Sequence, residues 1–306
     1  MLGSLFYLTI GTILLYYGAE WIVKSSVSLS EKFRLSPLVV GLTVVAFGTS
    51  LPELVVSLKA AISGSSTIAI GNVIGSNVAN VGLVLGLSSL IFPVTIHFER
   101  SRRDVFIYLG VTVIFIYFIM NGLISRGEGI LLFAGIIAYT WMCISHPSGK
   151  VDSVESTKTS IMWIAATFIL GCITLYFGAD YFVDGAIGIA TKLGVSEAVI
   201  GMSVVAFGTS LPELATSVIA AFRKESAISV GNIVGSNLFN ILSVLGIVAI
   251  IHPLDSPTNI LHLEIPFMVG YGLVLIPLGL MKQPISRISS IGLITGYVFF
   301  IILLFR

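Results

Sequence analysis

Apolar residues run along this chain in long blocks, and polar residues gather in the short joints between them. The blocks reach about 18 residues or more, the length an α-helix needs to cross hydrocarbon. They predict ten spans, near 2–23, 36–60, 68–92, 104–122, 127–145, 161–183, 197–221, 228–251, 263–280 and 287–305. The joints are turn-rich or charged, as in SGSS at 63–66 and FERSRRD at 98–104. The longest joint, HPSGKVDSVESTKTS at 146–160, is polar, nearly free of aromatic residues and central, and reads as a linker. The first block lacks a basic lead and a small-residue cleavage site, so it reads as a span and not as a signal peptide.

The pattern repeats. VVAFGTSLPEL occurs at 44–54 and again at 204–214. The same shift carries Gly18 to Gly178, Glu20 to Asp180, Gly71 to Gly231, Asn80 to Asn240 and Pro93 to Pro253 without a gap. This is a duplicated unit. The expected organisation is a first five-helix repeat at 1–145, a cytoplasmic linker at 146–160 and a second five-helix repeat at 161–306. Five spans is an odd number, so the second unit enters the membrane upside down relative to the first, a plan common in secondary transporters. The predicted fold is therefore all-α, ten transmembrane helices in two inverted repeats with interrupted helices around a central site.

Composition agrees with a lipid environment. Charged residues make up 10% of the 306 residues, against about 25% for a soluble domain. A net charge of +1 argues against a nucleic-acid partner. Cys143 and Cys172 lie in separate apolar blocks and read as filler inside helices. Basic residues give the orientation. One set of joints collects Lys24, Lys32, Arg34, Arg100, Arg102, Arg103, Lys150, Lys158, Arg223, Lys224, Lys282 and Arg287; the other holds only Lys59, Arg126, Lys192 and Arg306. The positive-inside rule puts the first set in the cytoplasm and both termini outside the cell membrane. Tyrosines and tryptophans near span ends fit an aromatic belt, and the histidines, set in or beside joints, read as interfacial.

The chemistry lies in the repeated phrase. Glu53 and Glu213 fall near mid-span, where a carboxylate costs about 2.5–3.5 kcal/mol to insert. Pro52 and Pro212 remove an N–H each, and Gly48 and Gly208 loosen the backbone, so both helices should break around GTSLPE. Unwound backbone at that depth belongs against protein or a wet cavity. Thr49 and Ser50, with Thr209 and Ser210, place hydroxyls within one turn of each glutamate. The next span reads GNVIGSNVAN at 71–80 and GNIVGSNLFN at 231–240. Asn72, Ser76 and Asn80 then share one helix face, as do Asn232, Ser236 and Asn240. Gly71, Gly75, Gly231 and Gly235 allow close helix approach. The assembled groups are hard oxygen donors, which suit calcium and sodium and disfavour thiolate-seeking metals. Glu20, Asp180 and Asp184, near span ends, read as structural or snorkelling residues, with an ion entry path as the alternative.

GTSLPE paired with GNxxGSNxxN, in two copies, resembles the sodium/calcium exchanger family of the cation/calcium antiporter superfamily, in its compact prokaryotic form. The resemblance spans both halves. It implies a site for transported Ca2+ and Na+ formed by Thr49, Ser50, Glu53, Ser76 and Asn80 with Thr209, Ser210, Glu213, Ser236 and Asn240, joined by the backbone carbonyls of Ala46 and Ala206. Asn72, Asn77, Asn232 and Asn237 stand behind these ligands. It also implies alternating access, in which both ions compete for one site and the first and sixth helices slide against the rest. Many exchangers of this pattern carry aspartate where this chain has Asn240, so two carboxylates remain, enough to balance one calcium or two sodiums. The short linker implies that the large regulatory region of animal plasma-membrane exchangers is missing here.

The expected activity is sodium/calcium antiport, calcium leaving as sodium enters, without covalent chemistry and so without enzyme activity. No cofactor and no obligatory protein partner are called for beyond the two ions and the bilayer. A proton/calcium or potassium-dependent antiporter of the same superfamily stands as the alternative, with a cation channel and a purely structural membrane protein further off.

Overall fold

The computed structural model describes residues 1–146, 159–194, 206–256 and 262–304. The interior of the predicted linker and the start of the predicted seventh span, at 197, lie outside the described residues.

Helix α1 (Leu2–Phe33) and helix α7 (Ile161–Lys192) are 32 residues each. Both overrun the spans expected at 2–23 and 161–183. Hydropathy marks where the apolar block ends, whereas a helix ends where its hydrogen bonding does. In α1 the polar last turns continue because Ser25 Oγ donates back to the Trp21 carbonyl at 2.7 Å. The helix stops where Arg34 turns left-handed, φ 53°, and the Leu35 N–H closes on the Ser30 carbonyl at 3.0 Å. The two long helices run antiparallel: a Cβ at Gly11 would meet Phe182 backbone at 2.5 Å, and one at Gly18 would meet Leu175 N at 2.9 Å. Glycine there lets backbone touch backbone.

Helix α2 (Pro37–Thr49) and helix α3 (Leu51–Ile62) form a span bent by 43°. Ser36 caps α2 by accepting from the Val39 N–H at 3.3 Å. Within α2, Gly41–Val45 winds as a π-turn. Ser50, at φ −84° and ψ 7°, forms the joint, and Pro52 sits in the first turn of α3 where its missing N–H costs nothing. The second copy matches: a turn of helix at Ala206–Gly208, then Ser210 at φ −86° and ψ 3°, then helix α8 (Leu211–Phe222). The break expected around GTSLPE is present in both copies.

Helix α4 (Ser66–Ile91) and helix α9 (Ser226–Ile251) occupy the centre, with 78% and 89% of their most apolar windows buried, against 22% for α1 and α7. Each carries a π-turn beginning at its asparagine, Asn80–Leu85 and Asn240–Leu245. The sequence reading did not anticipate these turns. An extra residue per turn rotates the rest of the helix and leaves backbone carbonyls loosely bonded, a feature concentrated at functional sites. Helices α5 (Phe98–Met120), α6 (Arg126–Ser145), α10 (Glu264–Leu280) and α11 (Arg287–Leu304) pack outside this centre. Two short strands, β1 (Leu123–Ile124) and β2 (Leu254–Asp255), pair antiparallel.

Among the described residues, seven helices are long and apolar enough to cross a membrane, and the α2–α3 pair makes an eighth span; α8 and α10 are shorter apolar helices. The joints sort onto two faces as the basic residues require. One face joins Pro93 to Ser226, Glu99 to Lys282, and Lys32 to Thr159. The other carries the β1–β2 pair.

Candidate ion-binding site

The two breaks meet at the centre of the molecule, each against the other half of the chain. Thr49 Oγ1, at the end of α2, donates to Asn232 Oδ1 at 3.0 Å and lies 3.3 Å from Ser236 Oγ, both on α9. Ser50 Oγ donates to Glu213 Oε1 at 3.2 Å, on α8. From the second half, Thr209 Oγ1 donates across to Asn72 Oδ1 at 3.5 Å, while Ser76 Oγ donates to Glu53 Oε1 at 3.4 Å within the first half. Thr49, Ser50, Glu53, Ser76, Asn80, Ser210, Glu213, Ser236 and Asn240 are all buried, and Thr209 is 9% exposed. Hydrogen bonds connect Thr49, Ser50, Ser236 and Glu213, and Ser76 with Glu53, while Asn80 and Asn240 bond to Asn237 and Asn77. Ala46 follows the π-turn of α2 and leads into its last turn, and Ala206 lies in the turn of helix before the second break.

Asn72 and Asn232 hold the broken helices in place. Asn232 Nδ2 donates to the Glu213 carbonyl at 3.4 Å and to Ser217 Oγ at 3.0 Å. Asn72 Nδ2 does the same to the Glu53 carbonyl at 3.3 Å and Ser57 Oγ at 2.9 Å. The sequence reading missed Ser57 and Ser217, although both repeat at the same shift, one turn past each glutamate. Asn77 and Asn237 orient the second asparagine pair. Asn80 Nδ2 donates to Asn237 Oδ1 at 3.0 Å, and Asn240 Nδ2 donates to Asn77 Oδ1 at 3.1 Å. With their amino groups engaged across the two halves, Asn80 and Asn240 leave their carbonyl oxygens free.

Those oxygens decide what the site can hold. Glu53 Oε2, Glu213 Oε2, Asn80 Oδ1, Asn240 Oδ1 and Ser210 Oγ are buried without a hydrogen-bond partner among the described residues. Two carboxylates and two amide carbonyls are acceptors only, arranged two from each half. Buried polar atoms are nearly always satisfied, and these four acceptors are not, although the Ser210 hydroxyl and the unpartnered Asn237 Nδ2 are themselves donors. A cation satisfies the acceptors. Hard oxygens in number, with two formal negative charges, match a calcium ion or sodium ions. No group of three or more His, Cys, Asp or Glu that could hold a metal is present among the described residues, so the carboxylates act with neutral oxygens. Cys143 and Cys172 are unpaired and take no part in the donor set.

The comparisons agree with this chemistry. The sodium/calcium exchanger protein family matches residues 3–145 and 163–306. This chain belongs to the sodium/calcium exchanger family. It is 32% identical to the sodium/calcium exchanger MaX1 of Methanosarcina acetivorans, over 97% of both chains. It is 35% identical to the uncharacterized membrane protein MJ0091 of Methanocaldococcus jannaschii, over 96% of this chain and 93% of that one. Among solved structures, the sodium-calcium exchanger NCX_Mj soaked with 10 mM Na+ and 10 mM Sr2+ superposes with a TM-score of 0.84 at 33% identity, over 97% of both chains. The same exchanger soaked without Na+ and Ca2+ gives 0.85 over 98% of each. The exchanger family thus supplies the membrane setting and the all-helical fold.

The flanking acids behave differently from one another. Glu20 is buried and bound by Lys24 Nζ at 3.0 Å and by Arg223. The Glu20 carboxylate holds the Arg223 guanidinium above its ordinary pKa through a hydrogen bond and charge attraction. This is the structural reading of Glu20. Asp180 and Asp184 are exposed on α7.

Proposed function

We propose that this protein is a sodium/calcium antiporter that works by alternating access, exporting calcium across the cell membrane as sodium enters. The reading rests on one observation: Glu53 Oε2, Glu213 Oε2, Asn80 Oδ1 and Asn240 Oδ1, all from the two repeated motifs, are buried without a hydrogen-bond partner among the described residues. Calcium binds between the two carboxylates and takes carbonyl and hydroxyl oxygens around it; sodium ions compete for the same oxygens. Thr49, Ser50, Ser76, Thr209, Ser210 and Ser236 complete the coordination, with the backbone carbonyls of Ala46 and Ala206. The two carboxylates balance one calcium or two sodiums. No bond is made or broken, so the protein is not an enzyme.

In this reading the chain is ten helices in two inverted five-helix repeats, 1–145 and 161–306, joined by a cytoplasmic linker at 146–160, with both termini outside. The antiparallel pairing of α1 with α7, its counterpart in the repeat, supports the inversion. The NCX_Mj structures, which concern extracellular ion exchange and binding-site occlusion in that exchanger, support alternating access here.

The test is uptake of radiolabelled calcium by vesicles holding the purified protein. Vesicles loaded with sodium and diluted into sodium-free buffer at matched pH should accumulate calcium, and Glu53→Gln should abolish this. Uptake driven only by a pH gradient would overturn the reading in favour of proton/calcium antiport. Uptake with neither gradient would indicate a channel.

A further inference from the structure

The second feature of this fold is an ion pair that breaks its symmetry. Glu20 lies on α1 and is 5% exposed. Arg223, the residue after α8, grips it with Nε at 3.0 Å and with Nη2. Lys24, one turn along α1, adds a second cation at 3.0 Å. A two-pronged guanidinium–carboxylate pair fixes both distance and direction. It ties α1 to the far end of α8, the helix that begins beside Glu213. Ten residues of helix put Arg223 about 15 Å from that glutamate.

The repeat predicts a matching pair at the opposite corner, and the chain lacks it. The counterpart of Glu20 is Asp180, which is exposed. The counterpart of Arg223 is Ser63, whose hydroxyl turns back to the Lys59 carbonyl at 2.7 Å. One end of the molecule is therefore fastened by charge and the equivalent corner is not, among the described residues.

Two more observations give this asymmetry a direction. Helices α1 and α7 are a pair set apart from the centre. Their glycines bring them backbone to backbone, and they meet the rest through an apolar cluster of their own, in which Ala19, Ile22 and Val23 join Ile219 and Ala220 of α8. Apolar contact lacks direction and tolerates sliding; the ion pair does not. A small cavity lined by Phe47, Ser50, Leu54, Phe239 and Ser243 lies beside the break at Ser50, between α3 and the second half of α9, the half that runs toward β2. The cavity thus lies on the strand side of the break, while the Arg223 side is fastened.

We propose that Glu20 and Arg223 form a one-sided latch, which holds α1 on α8 while the ion site faces the strand side and must release before the site opens toward the Arg223 side. The inference rests on the antiporter reading and deepens it. Neither residue touches the ions; both act by setting the balance between the two access states.

The test uses full-length protein in vesicles of known orientation, with calcium half-saturation measured from each face. Glu20→Gln and Arg223→Gln should lower half-saturation on the Arg223 face and raise it on the strand face. Each shift should be about three- to tenfold, as suits a partly exposed pair. The double exchange Glu20→Arg with Arg223→Glu should restore both values. A structural role alone would move both faces alike, and that result, or failure of the exchange to restore, would overturn the latch. A second readout is independent of transport. Ala220→Cys, made with both native cysteines replaced by alanine, should react with a water-soluble thiol reagent about three- to tenfold faster when Glu20→Gln is added, the same population shift read directly. If wild-type protein shows no sodium-driven uptake but this reactivity still rises, the antiporter reading fails and the latch stands. If uptake is normal and reactivity is unchanged, the latch fails alone.

Discussion

Replacing Asn232 by alanine isolates the scaffold that positions one carboxylate. Asn232 is fully buried. Its side chain receives Thr49 Oγ1 at 3.0 Å and gives to Ser217 Oγ at 3.0 Å and to the Glu213 carbonyl at 3.4 Å. Truncation removes one bond each from the Thr49 hydroxyl, which keeps Ser236 Oγ at 3.3 Å and the Ala46 carbonyl at 3.4 Å, from the Ser217 hydroxyl and from the Glu213 carbonyl. A buried polar group left alone costs about 1–3 kcal/mol. Thr49 keeps two partners and the Ser217 hydroxyl can turn toward a helix carbonyl, so the loss that reaches the site is about 1–2 kcal/mol. At about 1.4 kcal/mol per factor of ten, calcium half-saturation should rise roughly 5- to 30-fold. Asn72 makes the same contacts at 3.3, 2.9 and 3.5 Å but is only partly buried. Water can replace them, so Asn72→Ala should raise half-saturation less than about threefold. The assay is calcium-dependent exchange in sodium-loaded vesicles, with thermal unfolding in detergent as the control for folding. Equal shifts in the two variants, or none in Asn232→Ala with folding intact, would refute this account of how Glu213 is held.

Other outcomes follow from the same geometry. Glu53→Gln and Glu213→Gln should each eliminate sodium-driven calcium uptake, and should also abolish the rise in melting temperature that calcium gives the unaltered protein, measured by unfolding with and without the ion. A Cβ at Gly231 would meet the Leu38 carbonyl at 2.6 Å, whereas at Gly71 it would meet no described atom within 4 Å. Gly231→Ala should therefore lose about 1–3 kcal/mol of stability, while Gly71→Ala should be neutral or gain, as read by chemical or thermal unfolding. Ser125 caps α6 in a reciprocal arrangement, accepting from the Glu128 N–H at 3.3 Å while Glu128 takes the Ser125 N–H at 2.7 Å. Ser125→Ala should cost about 1 kcal/mol of stability and leave calcium half-saturation unchanged.

The sequence by itself determined the solvent, the duplication and the donor chemistry of this protein. Ten percent charge and long apolar blocks leave the bilayer as the only medium in which such a chain can be buried. GTSLPE also breaks its helix for a local reason, since Pro52 and Pro212 each lack a backbone N–H wherever they are placed. Glu53, Glu213, Asn80 and Asn240 were legible because a buried oxygen in hydrocarbon is costly, and a costly residue written twice marks a site. What stayed hidden depends on distance in space. That Ser50 donates to Glu213 across the halves, and not to Glu53 nearby in its own half, follows from how the two broken helices cross. The π-turns at Asn80 and Asn240 left no mark in the sequence pattern, because one extra residue per turn is settled by packing around it. Glu20 read alike with Asp180 from the repeat, yet only Glu20 found an arginine, since Arg223 stands where the first half has Ser63 and only the folded chain brings it within reach. Local covalent and solvation rules thus reached the candidate oxygens, and tertiary packing decided which of them meet and which face is fastened.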